Sequence, residues 1–387
     1  MKESIIKEVE RLKPDLIEIC KTIHRNPEVK FKEFKAVEVL TAFLKKNDFG
    51  VTQGIGGLET AFNAVFKGAE KDGPTISLLA EYDALPQIGH ACGHNIVCTA
   101  SVGAAVALKN VAHDSLGKIV VVGTPAEEGG GGKITLIKKG IFKDVDLAMM
   151  VHPSNKTRMV RLMLAVVEIR FIFHGKSAHA AAYPYEGINA LDGVILTFNN
   201  INALRQQLKD DVRIHGIITE GGYAPNIIPD RASAQFYVRA LEERYFKKVV
   251  EKVKECARGA SIATGTKIDI KMEEFTYRPF KPNYTLAGIF RENLSFIDIK
   301  EDPGDERGDM GSSDIGNLSH IIPTIHADIS ICDDKIVCHS PDFRDAALSE
   351  KGMKGMIIGA KGLALTAFDI FRSPDKMDMI RKEFEGK

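Results

Sequence analysis

Apolar residues open the chain at helical spacing. Ile5, Ile6, Val9, Leu12, Leu16, Ile19 and Ile23 predict a first helix, with Pro14 as a kink or restart. A second helix is expected over about Glu33–Lys45, after the break at His24-Arg25-Asn26-Pro27. The pattern then shifts to short, almost continuous apolar runs: Thr75–Ala80, Lys118–Gly123 and Asp146–Val151. Such runs fit strands covered on both faces of a sheet. Helical stretches, Ile96–Lys109 and Lys133–Lys139, lie between them, and the alternation predicts an α/β domain.

From about Leu164 the pattern changes again. Val167–Phe173 reads as a strand, Ile188–Leu208 as a helix, Arg213–Thr219 and Ala232–Ala240 as strands, Leu241–Ile262 as a helix and Thr266–Met272 as a strand. That order, βαββαβ, is a compact α+β unit of the split-βαβ, ferredoxin-like kind. The mixed style returns after it, so a small domain is inserted into a larger one. The expected boundaries are 1–164 and 275–387 for the α/β domain and 165–274 for the insertion. No repeat of 20–50 residues marks a solenoid.

Composition narrows the function classes. The chain has 387 residues, 44% hydrophobic and 27% charged, which excludes disorder as its dominant state. Lys+Arg and Asp+Glu are both 52, so the whole chain carries no basic footprint for nucleic acid or an anionic membrane. No run reaches the roughly 18 apolar residues of a membrane span, and Met1–Cys20 lacks the apolar core of a signal peptide. Six cysteines without a CxxC pair make no disulfide framework. The expectation is a reduced, cytoplasmic protein.

Potential ligands fall where open α/β sheets place their sites, just beyond strand ends. The first buried run is followed by Asp83 and by Gly89-His90-Ala91-Cys92-Gly93-His94-Asn95. The second is followed by Thr124-Pro125-Ala126-Glu127-Glu128 and four glycines, and the third by His152. Cys338-His339-Ser340-Pro341 follows another short apolar run. Singly, each has a plain reading: a buried thiol, a satisfied turn histidine, a solvated acidic loop edge. Together they do not, because adjacent carboxylates repel unless a cation or proton lies between them. Thiolate, imidazole and carboxylate suit Zn(II) or a similar ion. Cys92, His94, Glu128, His152 and His339 would supply three bonds to each of two ions if one residue bridges, leaving an open position on each. A two-metal site lowers the pKa of a water, and Glu127, next to a ligand, could serve as its general base. Competing motifs fail: no GxSxG elbow, no GxGxxG after a strand, and Ile134 where a phosphate loop needs Ser or Thr.

These motifs together resemble the co-catalytic metallopeptidase and amidohydrolase family of aminoacylases, carboxypeptidase G-like enzymes, auxin-conjugate amidohydrolases, p-aminobenzoyl-glutamate hydrolase and β-alanyl-lysine dipeptidase. The resemblance runs from HRNPE (His24–Glu28) through AEYDALP (Ala80–Pro86), GHACGHN, TPAEEGGGG and MVHP. It continues in GKSAHAA (Gly175–Ala181), GGYAPNIIPD (Gly221–Asp230), GSSDIGN (Gly311–Asn317) and HSPDF (His339–Phe343). It implies a metal-binding α/β catalytic domain with an inserted βαββαβ lid that also makes a homodimer. It implies that Cys92 is the bridging ligand, His94, Glu128, His152 and His339 the others, Glu127 the base, and Asp83 the carboxylate orienting a ligating His. It further implies that His179 reaches a partner's active site to stabilise the oxyanion, and that Asn226 and Arg239 recognise substrate. AEYDALP with GHACGHN is closest to the last two named enzymes. Departures are CGHN in place of CGHD, and Glu81 where other members place a metal-binding His.

The expected function is metal-dependent hydrolysis of a small N-acyl amino acid or dipeptide. The cofactor would be two divalent ions, Zn(II) or Mn(II), with Co(II) and Ni(II) also suited to such sites. The other classes to weigh are a non-catalytic small-molecule-binding protein that keeps the fold, and a redox-responsive thiol protein using Cys92, Cys98, Cys332 and Cys338.

Overall fold

The computed structural model describes residues 1–386. The chain divides into two compact units, Met1–Leu162 with Phe280–Lys387, and Met163–Pro279. In the first unit, α1 (Lys2–Arg25) and α2 (Phe34–Lys46) lead into β1 (Gly50–Gln53), β2 (Phe62–Lys67) and β3 (Thr75–Ala80). Then come α3 (His94–Ala112), β4 (Lys118–Gly123), α4 (Gly132–Lys138) and β5 (Leu147–Ser154). The second unit holds β6 (Ala165–His174), α5 (Ala190–Leu204), β7 (Arg213–Glu220), β8 (Arg231–Ala240), α6 (Glu243–Thr264) and β9 (Lys267–Met272). The first unit resumes with α7 (Tyr284–Phe296), α8 (Ile315–Leu318), β10 (Thr324–Ser330), α9 (Pro341–Ala346), α10 (Glu350–Arg372) and α11 (Pro374–Glu385).

The large sheet runs β1-β2-β4-β3-β5-β10, parallel from β4 to β10 and antiparallel at the β1-β2 edge. Every residue of β5 is buried, as a central parallel strand requires. α3 is apolar almost all round, so it is a core helix rather than an amphipathic one, packed against α1 and α10. By length and composition His94–Ser115 could cross a membrane, a feature that counting uninterrupted apolar residues overlooks, but 78% of its apolar window is buried inside the protein.

Two expectations change. α1 is continuous through Pro14, which lies on the exposed face, where water replaces the bond its missing N–H would have made. β1 and β2 add two strands that the apolar pattern does not predict. β1 is a four-residue, mostly exposed edge strand, and β2 is covered on one side only, so neither carries a continuous apolar run.

The small sheet is antiparallel in the order β7-β8-β6-β9, with α5 and α6 packed on it. Numbered within the unit, that is 2-3-1-4, the ferredoxin-like arrangement that the βαββαβ pattern predicts. Its core is separate, built on Phe171, Phe173, Phe236 and Val253.

Gly93, the residue before α3, joins this architecture to the site. Its φ of +79° favours glycine, and a Cβ there would lie 2.4 Å from Pro153 at the end of β5. Gly93→Ala is expected to destabilise the protein by about 1–3 kcal/mol, measured by urea unfolding in the presence of a chelator. An unchanged midpoint would contradict that close approach.

Candidate metal centre

The loops following β3 and β4 and the last residues of β5, where His152 lies within the strand rather than after it, converge in the first unit, and one carboxylate ties the two loops together. Asp83 accepts from His94 Nδ1 through its carbonyl at 2.9 Å and its Oδ1 at 3.1 Å. Its Oδ2 accepts the backbone N–H of Glu128 at 2.9 Å. Protonated on Nδ1, His94 turns a lone pair on Nε2 into the site. That Nε2 is buried without a hydrogen-bond partner. His152 is held the same way: its Nδ1 meets the Pro153 carbonyl at 2.8 Å, and its Nε2 lies 3.5 Å from Cys92 Sγ.

From the C-terminal part of the unit, His339 Nε2 reaches Glu128 Oε1 at 3.1 Å. The His339 N–H bonds to the Ala91 carbonyl at 2.9 Å, which seats this turn on the Cys92 loop. Three groups of donor atoms therefore lie within 4.8 Å of one another: Cys92, His94 and His152; Cys92, Glu128 and His339; and His94, Glu127 and Glu128. Cys92, His94 and Glu128 each belong to two of them, so the three groups form one connected cluster.

Charges are arranged for a cation. Burial, then Glu128, Glu81 and Asp314, pushes the Glu127 carboxyl well above the usual range. Burial opposes charge on His94, but Asp83, Glu81 and Glu128 outweigh it and hold its pKa well above normal, so these carboxylates favour a positive charge at Nε2 that a metal ion would supply in place of a proton. Burial, with His94 nearby, drives His152 down to about 3, leaving a neutral imidazole fit to ligate. The donor set fits a pair of divalent ions: His94 Nε2 makes no hydrogen bond and lies 3.4 Å from Glu81 Oε2, and Glu128 Oε1 faces the His339 ring.

Several supporting residues escape a reading of the sequence. Glu33 is buried, and its Oε1 accepts the N–H groups of Phe31 and Ala126, each at 2.9 Å. Its Oε2 accepts the Thr60 hydroxyl at 2.7 Å. Ala126 has φ +59°, so Glu33 pins the left-handed residue that aims Glu127. The first residue of a predicted helix offers no sign of this role. A fourth acidic group, Glu81, Glu127 and Asp314, already holds a cation from the chain. Buried Lys133 bonds Glu81 Oε1 at 2.5 Å and Asp314 Oδ1 at 2.7 Å. The hint in the sequence is Lys133 closing the four-glycine run. Cys338 lies close enough to share a hydrogen bond with Cys92, which lowers its own pKa.

The other three candidates lie in the second unit. His179 is exposed in the loop after β6, where its Nδ1 accepts from the N–H groups of Ala181 and Ala182 at 3.2 Å. A short antiparallel bridge pairs His179 with Ile227, and the carbonyl of the preceding Asn226 accepts the Ala180 N–H at 3.0 Å. Arg239 is half-buried on β8, its guanidinium 5.8 Å from the Tyr237 ring centre.

A peptidase dimerisation domain matches residues 164–263. The chain is 38% identical over 383 residues to an Xaa-Arg dipeptidase of Mus musculus, covering 95% of this chain and 88% of that protein. It is 33% identical over 305 residues to a p-aminobenzoyl-glutamate hydrolase polypeptide of Escherichia coli (strain K12), covering 73% and 63%. Among solved structures, a Bacillus subtilis dinuclear metal-binding peptidase from the M20 family superposes with a TM-score of 0.74 at 19% identity, covering 94% and 99% of the two chains.

Removing the Lys133 ammonium would strand two buried carboxylates. Lys133→Met is expected to destabilise the protein by about 3–5 kcal/mol, read as a lower urea midpoint. A loss under about 1 kcal/mol would mean that the pair is not desolvated as described.

Proposed function

We propose, from the premise that this chain belongs to the M20 family of metal-dependent peptidases and amidohydrolases, that Glu127 is the general base of its amide hydrolysis. The protein is a metal-dependent hydrolase of carbon–nitrogen bonds, cleaving small N-acyl amino acids or dipeptides. The observation that carries the assignment of roles is the convergence of Cys92, His94, Glu128, His152 and His339, with Glu127 beside them.

Cys92 would bridge two ions, with His94, Glu128, His152 and His339 completing the set. A thiolate favours Zn(II), and the carboxylate and imidazoles leave Mn(II) open. Ions held by these residues would polarise the amide carbonyl and acidify the attacking water. Glu127, beside the ligands, would take the proton from the attacking water and deliver it to the leaving amine. Asp83 keeps His94 in the tautomer that presents Nε2.

His179, supplied by the second subunit of a homodimer formed through the inserted domain, would donate to the developing oxyanion. Asn226 and Arg239 would hold the substrate α-carboxylate, for which a guanidinium offers a two-pronged contact. The six free cysteines suit a reducing compartment, such as the cytoplasm.

Glu127→Ala should lower kcat by about 10²–10⁴-fold while elemental analysis still finds the metal. Near-normal turnover would remove Glu127 from the mechanism. His179→Ala should cost about 10²–10³-fold, again with metal retained. Re-assembled dimers mixing His179→Ala with Glu127→Ala chains should recover part of the activity. No recovery would exclude action across the dimer.

A further inference from the structure

Beside His152 the large sheet carries a second buried polar cluster that the chemistry above does not use. Parallel pairing sets Asp328 of β10 next to His152 of β5. On its other side Asp328 exchanges two backbone hydrogen bonds with Arg158, at 3.0 and 2.7 Å. His326, two residues earlier on the same face of β10, stacks on the His152 ring with centroids 5.1 Å apart. The register thus leads outward from the ligand set through His326 and Asp328 to Arg158 and Arg161.

The charges in this cluster do not balance. Arg158 Nη2 and Arg161 Nε approach the same Asp328 Oδ2, at 3.4 and 3.5 Å. Neither contact makes a good hydrogen bond. Among the described residues, the Nε of both arginines and both Asp328 oxygens are buried without a hydrogen-bond partner. Nearby acids are exposed or engaged. Asp309 is solvent-facing and 3.8 Å from Arg158. Glu301 pairs with Arg291 at 2.7 Å and also accepts the Met159 N–H. Asp302 accepts the Thr157 N–H.

Two largely buried guanidiniums therefore share one buried carboxylate, with the thiols of Cys338 and Cys92 and the exposed Asp309 the other negative groups acting on Arg161, and the Nε–H of each arginine is unused. A buried cation of this kind calls for an anion. Arg161 also acts electrostatically on the imidazoles of His152 and His326 and on the thiol of Cys338, which puts its charge within range of the ligand set.

We propose that Arg161, backed by Arg158, receives a second carboxylate of the substrate, so that the enzyme prefers acidic N-acyl amino acids or dipeptides. The inference rests on the hydrolase reading above, in which Arg239 would take the α-carboxylate. A second cation pair then serves a second anionic group. A guanidinium is apt, since its planar fork matches a carboxylate in two places.

The test compares N-acetyl-L-glutamate with N-acetyl-L-glutamine, which differ only in the distal carboxylate. Wild type should favour the acid in kcat/KM. Arg161→Gln should cut that preference about 10–100-fold, mainly through KM, the range expected for lost charged hydrogen bonds. Arg161→Lys should restore part of it. If Arg161 merely ties the chain to β10, both substrates would suffer equally, and that result overturns the proposal. Calorimetric titration of the metal-loaded protein with L-glutamate and L-glutamine is independent of turnover. Tighter glutamate binding that Arg161→Gln abolishes supports the anion site even if no amide is cleaved, in which case the hydrolase reading alone fails. Equal affinity of wild type for the two overturns the anion site.

Discussion

Crowded negative charge governs this structure. Glu81, Asp83, Glu127 and Asp314 are buried, and Glu128 nearly so, around the carboxyl ends of a few parallel strands. Carboxylates this close cannot all ionise in a low-dielectric interior without compensation. The chain supplies part of it. Lys133 neutralises the Glu81 and Asp314 corner, and Asp83 is satisfied by the His94 ring and the Glu128 N–H. Glu127 faces Glu128, Glu81 and Asp314 as well as His94, Glu128 meets the His339 ring, and the thiol of Cys92 lies beside His152. The fold has thus built a pocket that attracts a divalent cation, and has furnished one corner of it with a cation of its own.

Holding those groups in place needs unusual backbone. Ala126 and His339, next to or at the site, adopt left-handed conformations without being glycine, with φ of +59° and +66°. Such residues are strained, and surrounding bonds must fix them. Glu33 does so for Ala126, and the hydrogen bond to the Ala91 carbonyl does so for His339. Both bonds come from segments distant in sequence, so the ligand geometry depends on the fold as a whole.

Part of this is legible in the sequence. Buried parallel strands announce themselves as continuous apolar runs, and their ends give the loops that carry Asp83, Cys92 and Glu127, while β5 runs on past its apolar residues to include His152. The βαββαβ insertion is equally visible from its alternation of periods. Edge strands β1 and β2 are not, because a short strand covered on one side lacks that signal. Side-chain partnerships are hidden for a different reason. Glu33, Lys133 and Arg161 owe their roles to residues tens to hundreds of positions away, and local spacing carries no trace of such pairs.

The central claim is that these loops enclose two ions. Crystals grown with Mn(II) and measured where manganese scatters anomalously would test it directly. The account predicts two peaks in each chain, bounded by Cys92, His94, Glu128, His152 and His339. A single peak, or peaks in the Glu81–Asp314 corner that Lys133 fills, would contradict it.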